Sequence, residues 1–252
     1  MTPVVLALVA GAVVGLSTGA LGGGGGVLAV PALIYLMGFT PDRATTASLL
    51  VLVLTSVAAL TAHARSGTVR WRLGALFAVA GMAPAAAAGA LTRHVPAAAL
   101  TGAFSLVAAM AAVSMLRRSP TTTTDHPRPV RAVGLGAGVG TVTGFLGVGG
   151  GFLTVPALVG VLSVPMRTAV GTSLLVISVN AGAALAARLG DVALLDWALI
   201  GPFAATALLG TWDGKRLAGK VSTTTLRRVF AVVLLGIALF MGVDAAIQAL
   251  TR

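Results

Sequence analysis

The sequence predicts an all-α integral membrane protein built from two inverted repeats, each with a glycine-broken helical hairpin followed by three transmembrane helices. Three observations predict it. The first is composition: 57% of the chain is hydrophobic, 9% is charged, and the mean hydropathy is +1.01. Soluble domains carry about 25% charged residues, so most of this surface must face lipid, where chains span as helices or closed barrels. The second is a duplication: Thr18 to Leu33 (TGALGGGGGVLAVPAL) returns 125 residues later as Thr143 to Leu158 (TGFLGVGGGFLTVPAL), with 12 of 16 positions identical. The same offset aligns Ser48-Leu49-Leu50-Val51 with Ser173-Leu174-Leu175-Val176. The third is the length of the apolar runs, which fall into two classes.

In chain order the runs of the first half are 3–21, 27–38, 44–63, 73–92 and 96–116. Those of the second are 132–147, 152–164, 169–188, 192–212 and 226–249. A span needs roughly 17–25 helical residues. The runs 27–38 and 152–164 fall short, and at about 1.5 Å per residue each covers little more than half the hydrocarbon core. Both are expected to be half-helices that start directly after a glycine cluster. The chain therefore divides into a first membrane repeat (1–116), a polar, proline-rich linker (117–131) and a second repeat (132–252). The N-terminus lacks the basic region of a secretory signal and reads as the first membrane segment.

Loop charge sets the expected orientation. Arg65, Arg70 and Arg72 lie in 64–72; Arg117, Arg118, Arg128 and Arg131 in the linker; and Lys215, Arg216, Lys220, Arg227 and Arg228, against Asp213, in 213–228. The 93–95 turn has only Arg93 and His94, and the 188–196 segment offsets Arg188 with Asp191 and Asp196. Placing the three basic segments in the cytoplasm satisfies the positive-inside rule and leaves both termini outside. Each glycine-broken pair then enters and leaves on one face. Each half has an odd number of crossings, three or five according to whether the hairpin legs traverse, so the second copy is inverted, as in many secondary carriers.

The glycine clusters carry the expected chemistry. Gly22, Gly23, Gly24, Gly25 and Gly26, and in the second copy Gly147, Gly149, Gly150 and Gly151, are poor helix formers and allow close backbone approach. Unpaired backbone in hydrocarbon persists only inside protein or beside a cavity. A helix that begins there offers free N–H groups and the positive end of its dipole, which suits an anion. Two such ends related by inversion would face each other near the midplane and hold a small oxyanion. The competing reading is that the glycines serve close helix packing. Substituting leucine at Gly25 or Gly150 is expected to abolish transport and spare insertion. Ser48, Thr172, Ser173 and Asn180 are candidate side-chain donors, Ser48 and Ser173 because they match across the copies. Each hydroxyl also has a structural role open to it, bonding to its own helix or a neighbour.

Several classes are excluded or disfavoured. The net charge of +11 sits in short loops, with no basic domain to hold a nucleic acid. The glycines miss the G-x-G-x-x-G spacing, and no P-loop Gly-Lys-Ser/Thr follows them. With no cysteine there are no disulfides or thiolate metal sites. The chain has no glutamate, and no aspartate lies in the middle of an apolar run, so no carboxylate proton relay is visible. No catalytic or metal-ligating constellation emerges, and no cofactor is expected. His63 and Arg188, equivalent by the offset, read as interfacial anchors, and Arg43 and Arg167 flank the hairpin exits.

The doubled Gly-x-x-Gly-x-Gly-Gly-Gly-x-Leu-x-Val-Pro motif resembles the sulfite exporter TauE/SafE family of bacterial membrane permeases. So do the segments Ala44-Thr-Thr-Ala-Ser-Leu-Leu50 and Val170-Gly-Thr-Ser-Leu-Leu175, and the likeness runs from about Gly11 to Gly242. It implies a permease of the cytoplasmic membrane for sulfite, sulfonates such as sulfoacetate, or related sulfur-containing anions. The expectation is therefore a secondary carrier, exporting a small sulfur-containing anion, with the lipid bilayer as its surroundings. An anion channel and a non-transporting membrane scaffold are the alternatives, and the sequence is silent on oligomeric state.

Overall fold

Thr2 to Leu21 carries no charge and forms α1 (Thr2–Leu21), whose 20 residues reach about 30 Å, the thickness of a hydrocarbon core. The computed structural model describes residues 2–22, 24–91, 97–117, 129–146 and 151–250. After α1 come α2 (Gly24–Pro31), which runs on as a π-helical turn (Ala32–Leu36), α3 (Pro41–Arg65), α4 (Trp71–Leu91) and α5 (Ala97–Arg117). The second half supplies α6 (Pro129–Leu146), α7 (Gly151–Gly160), α8 (Met166–Ala186), the single turn α9 (Leu189–Val192), α10 (Trp197–Lys220) and α11 (Thr223–Leu250). Among the described residues there is no strand, and six helices (α1, α3, α4, α5, α8 and α11) are long and apolar enough to cross a membrane. Every expected apolar run coincides with a helix. Two boundaries differ most: the run 192–212 becomes continuous helix only at Trp197, and the basic stretch 213–228 is helix except at 221–222, because its Lys, Arg, Leu and Ala residues favour helix once the chain leaves the apolar core.

The two short helices are built alike. Pro31 lies inside α2 and Pro156 inside α7, at equivalent positions. Each then closes with a residue of positive φ, Gly38 (φ 70°) and its equivalent Ser163 (φ 53°). The next amide returns to the same place in both: Phe39 N–H donates to the Leu33 carbonyl at 3.1 Å, and Val164 N–H to that of Leu158 at 3.0 Å. Helices α3 and α8 start at Pro41 and Met166, again 125 apart. Proline and the left-handed residue stop the short helix at the same point in each copy, which keeps it to half length.

Helix α2 folds back along α1, so that Gly25 sits against Val14 and Thr18 while Ala29 shares a core cluster with Ala7, Ala10 and Val14. Helix α1 packs parallel to α10 along a glycine stripe. A Cβ at Gly11, Gly15 or Gly19 would lie 2.2, 2.0 or 2.0 Å from the carbonyl oxygen of Phe203, Ala207 or Thr211 respectively. The same joint recurs between α6 and α4, where a Cβ at Gly136 or Gly140, the equivalents of Gly11 and Gly15, would lie 2.6 or 2.3 Å from the Phe77 or Gly81 carbonyl oxygen. Small residues let membrane helices pack this closely. Helices α3 and α8 run antiparallel: Leu49 and Leu52 meet Ile177 and Ala181, Ser178 donates to Ser56 at 3.0 Å, and the Arg70 amide just beyond α3 donates to Thr172 at 3.1 Å. Helix α11 packs on α5, where Ser105 donates to the Ala238 carbonyl at 2.7 Å.

The outer surface is apolar. Val5, Val9 and Val13 form an exposed stripe on α1, and Val79, Leu106, Leu209, Val232 and Leu239 are each more than 60% exposed. In water such a belt would drive aggregation, and in a bilayer it is the expected lipid contact. The buried polar side chains are threonines, serines and one histidine, and no charged residue is buried among those described.

Candidate functional site

The first glycine break is narrower than the glycine run that encodes it. Among the described residues here, Gly22, with φ 75°, lies outside α1, and α2 begins at Gly24. Gly24, Gly25 and Gly26 already form the first turn of α2, and neighbouring helices supply the packing energy that their low propensity lacks. The Gly22 N–H donates to the Thr18 carbonyl at 2.9 Å, so it closes α1 and is not free for a ligand. The amides of the α2 first turn have no intrahelical acceptor, as at any helix start. Gly23, Gly147, Gly149 and Gly150 lie outside the described residues, and Gly151 is the first residue of α7.

Packing also uses these glycines. A Cβ at Gly25 would fall 1.6 Å from Thr18 Oγ1 and 2.7 Å from the Val14 carbonyl. At Gly26 it would meet only the flexible Leu52 side chain, at 3.0 Å. A Cβ at Gly22 would meet Ser173 Oγ at 2.6 Å and the Val170 carbonyl at 3.1 Å. The break is thus set against the second turn of α8, roughly 6–10 Å along that helix from its start. It lies toward the end of the bundle where α3 finishes, since the ring of buried His63, Nε2 to carbonyl oxygen, is 3.4 Å from Gly19.

The structure brings Ser173 to this break; Thr172 faces the start of α4 instead, with its Oγ1 on the Arg70 amide and its methyl beside Gly74, and Ser48 and Asn180 lie elsewhere on α3 and α8. Ser173 donates to the Val170 carbonyl at 2.8 Å and Ser48 to that of Thr45 at 2.8 Å, so both hydroxyls close onto their own helices. Thr172 Oγ1 accepts the Arg70 amide and keeps its proton for another partner. Asn180 Oδ1 is buried and accepts no hydrogen bond among the described residues; to serve an anion it must turn its amide and present Nδ2. The starts of the two short helices feed one apolar cluster, in which Val27, Phe152, Leu153 and Phe104 are joined and the rings of Phe104 and Phe152 stand 5.0 Å apart.

Sequence reasoning passed over the surroundings of the break. A cavity of about 220 Å³ opens beneath it, lined by Ala20, His63, Thr68, Arg167, Val170 and Lys215 among others. His63 Nδ1 is 3.0 Å from Thr68 Oγ1, and Lys215 donates to the Ala62 carbonyl and, at 2.7 Å, to Ser66 Oγ. The signal was a half-buried lysine in α10 that pairs with no carboxylate, which a linear charge count hides.

Among the described residues no group of three or more potential metal ligands is found. Multiple apolar helices, an interior without buried charge among the described residues and an apolar exterior define a multi-pass membrane protein. The chain belongs to the family described as sulfite exporter TauE/SafE, whose profile matches residues 7–241. It is 32% identical over 240 residues to a probable membrane transporter protein of Xylella fastidiosa strain Temecula1, covering 92% of each chain, and equally to its counterpart in strain 9a5c. It is 28% identical over 265 residues to the probable membrane transporter protein YunE of Bacillus subtilis, covering 92% of this chain and 93% of the other. No solved structure matches it. The protein is a membrane transporter, not an enzyme.

Proposed function

We propose that this protein is a secondary carrier that exports a small sulfur-containing oxyanion, sulfite or an organosulfonate, across the cytoplasmic membrane. In this reading the two halves are inverted repeats, the basic helix ends and linker face the cytoplasm, and both termini lie outside. The anion binds within the bundle between the starts of α2 and α7, held by the amides of Gly24, Gly25, Gly26 and Gly151 and by those of Gly23, Gly147, Gly149 and Gly150. Ser48, Thr172, Ser173 and Asn180 join only by moving from their present arrangement. The single observation that carries the reading is the duplicated short helix, starting at Gly24 and at Gly151 and stopped in the same way in both copies. The pairing of α3 with its own equivalent α8 in antiparallel, and the recurrence of the α1–α10 joint as α6–α4, support the inverted relation, since a two-fold axis in the membrane plane generates both. Alternating access must move the two halves without separating the α1–α10 and α6–α4 joints that tie each to the other.

Purified protein in proteoliposomes tests this. Labelled sulfite should move with saturable kinetics and be displaced by sulfoacetate or thiosulfate, not by chloride. Non-saturating flux or single-channel chloride current would establish a channel instead, and absence of flux for every sulfur anion in the panel would end the proposal.

A further inference from the structure

The cavity under the first glycine break is more basic than its structural duties require. Arg167 Nη2 donates to the Gly219 and Val221 carbonyls, each at 3.2 Å, and so caps the end of α10. Its Nη1 and Nε make no hydrogen bond among the described residues, and Lys215 uses two of its three donors on Ala62 and Ser66. Arg216 pairs with Asp213, and among the described residues no carboxylate pairs with Arg167 or Lys215. Two uncompensated positive charges therefore border a space of about 220 Å³, while the Ser66 and Thr68 hydroxyls beside them donate to the Ala62 and His63 carbonyls. Ala20 and Val170 form part of its wall, and the Val170 carbonyl also borders Gly22, so the cavity and the break share a wall. A neutral capping role would be served without the open donors.

We propose that this cavity is a one-sided anion vestibule, in which Arg167 and Lys215 collect an oxyanion from the aqueous phase and hand it to the glycine break. This rests on the transport reading above and assigns recognition on one face to residues outside the glycine motif. The duplication gives the comparison: the 125-residue offset puts Asp42 where Arg167 stands, Asp191 where Ser66 stands and Ala90 where Lys215 stands. Both cations are lost from the equivalent positions of the other copy and two carboxylates enter; Arg188 stands there at the position of His63 and Arg93 at that of Ala218, so the charges of that copy balance where this cavity is net positive. Such an asymmetry sets the half-saturation concentration on each face; net direction remains fixed by the driving force. A cationic recess with low-dielectric walls raises the local concentration of its counter-ion.

The absence of cysteine makes the test direct. Gly219 lines the cavity and a Cβ there meets nothing within 4 Å, so Gly219→Cys introduces a unique thiol without crowding. The rate of labelling by an anionic maleimide relative to a neutral one, normalised to free cysteine, reads the local field independently of thiolate content. A ratio raised about fivefold, lowered by Arg167→Gln with Lys215→Gln, restored by Arg167→Lys and suppressed by sulfoacetate is expected. A ratio equal to that of free cysteine, or one indifferent to these substitutions, would overturn the proposal. In proteoliposomes, Arg167→Gln should raise the half-saturation for sulfite on the Lys215 face about fivefold and spare the maximal rate; the same rise on both faces, or a lost maximal rate alone, would refute it. Wild-type vesicles that move no sulfur anion would refute the transport reading while the labelling result still stands or falls by itself.

Discussion

The glycines of the α1–α10 joint and those of the α1–α2 break lie a few residues apart and do different work. At the joint, Gly11, Gly15 and Gly19 face backbone: the atoms a Cβ would strike are carbonyl oxygens that no rotamer change can move. At the break the demands are mixed. Gly22 needs a positive φ, Gly25 fills a packing position against Thr18, and Gly26 borders a flexible leucine. Glycine content alone therefore says nothing about function. What separates the two groups is which atom stands opposite the missing side chain, and whether a helix starts there.

Substitutions can widen or erase that contrast. The largest effect is expected at the joint: Gly15→Leu, or Gly140→Leu in the other half, should prevent assembly of the bundle, since overpacking costs about 1–3 kcal/mol even where side chains give way and here only backbone faces the new group. Size-exclusion chromatography after detergent extraction should show no monodisperse peak. Next comes Gly25→Ala, whose methyl overlaps Thr18 Oγ1. A fall in Tm of several degrees is expected, and a smaller one for Gly26→Ala, where Leu52 can move; equal Tm values would mean that α2 does not pack on α1 as described. This alters the expectation drawn from sequence, because Gly25→Leu would damage the hairpin as well as transport. The smallest effect belongs to Gly102→Ala, where the methyl meets nothing within 4 Å. A stability gain of about 0.5–1 kcal/mol is expected from the better helix former, with flux unchanged.

Much of the fold was legible in the sequence because a lipid-facing helix must be apolar over a fixed length. The two short helices declared themselves by falling short of it, and Pro31 and Pro156 mark where each begins to end. Pairing was not legible. That α1 meets α10, and α6 meets α4, depends on surfaces remote in the chain, and the stripe Gly11–Gly15–Gly19 gave only one side of it. The break was found from its glycines, but its true extent was hidden, since tertiary packing makes Gly24 to Gly26 helical against their propensity. Ser48 and Ser173 stood out as matched hydroxyls, yet both close onto their own helices. Lys215 and Arg167 read as ordinary flanking charges, because linear order does not reveal that α10 and α8 bring them to one cavity.

The central claim, that free amides at the start of α2 bind the transported anion, reduces to one hydrogen atom. Gly24 is the first residue of α2, a position where proline's fixed φ is tolerated while its ring replaces the N–H. Gly24→Ala adds a side chain and keeps that donor; Gly24→Pro removes it. Sulfite flux in proteoliposomes, compared at matched Tm, should be retained by the alanine protein and fall at least about tenfold in the proline protein, as expected for loss of a charge-assisted hydrogen bond worth about 1.5–3 kcal/mol. Equal flux through the two would contradict the account.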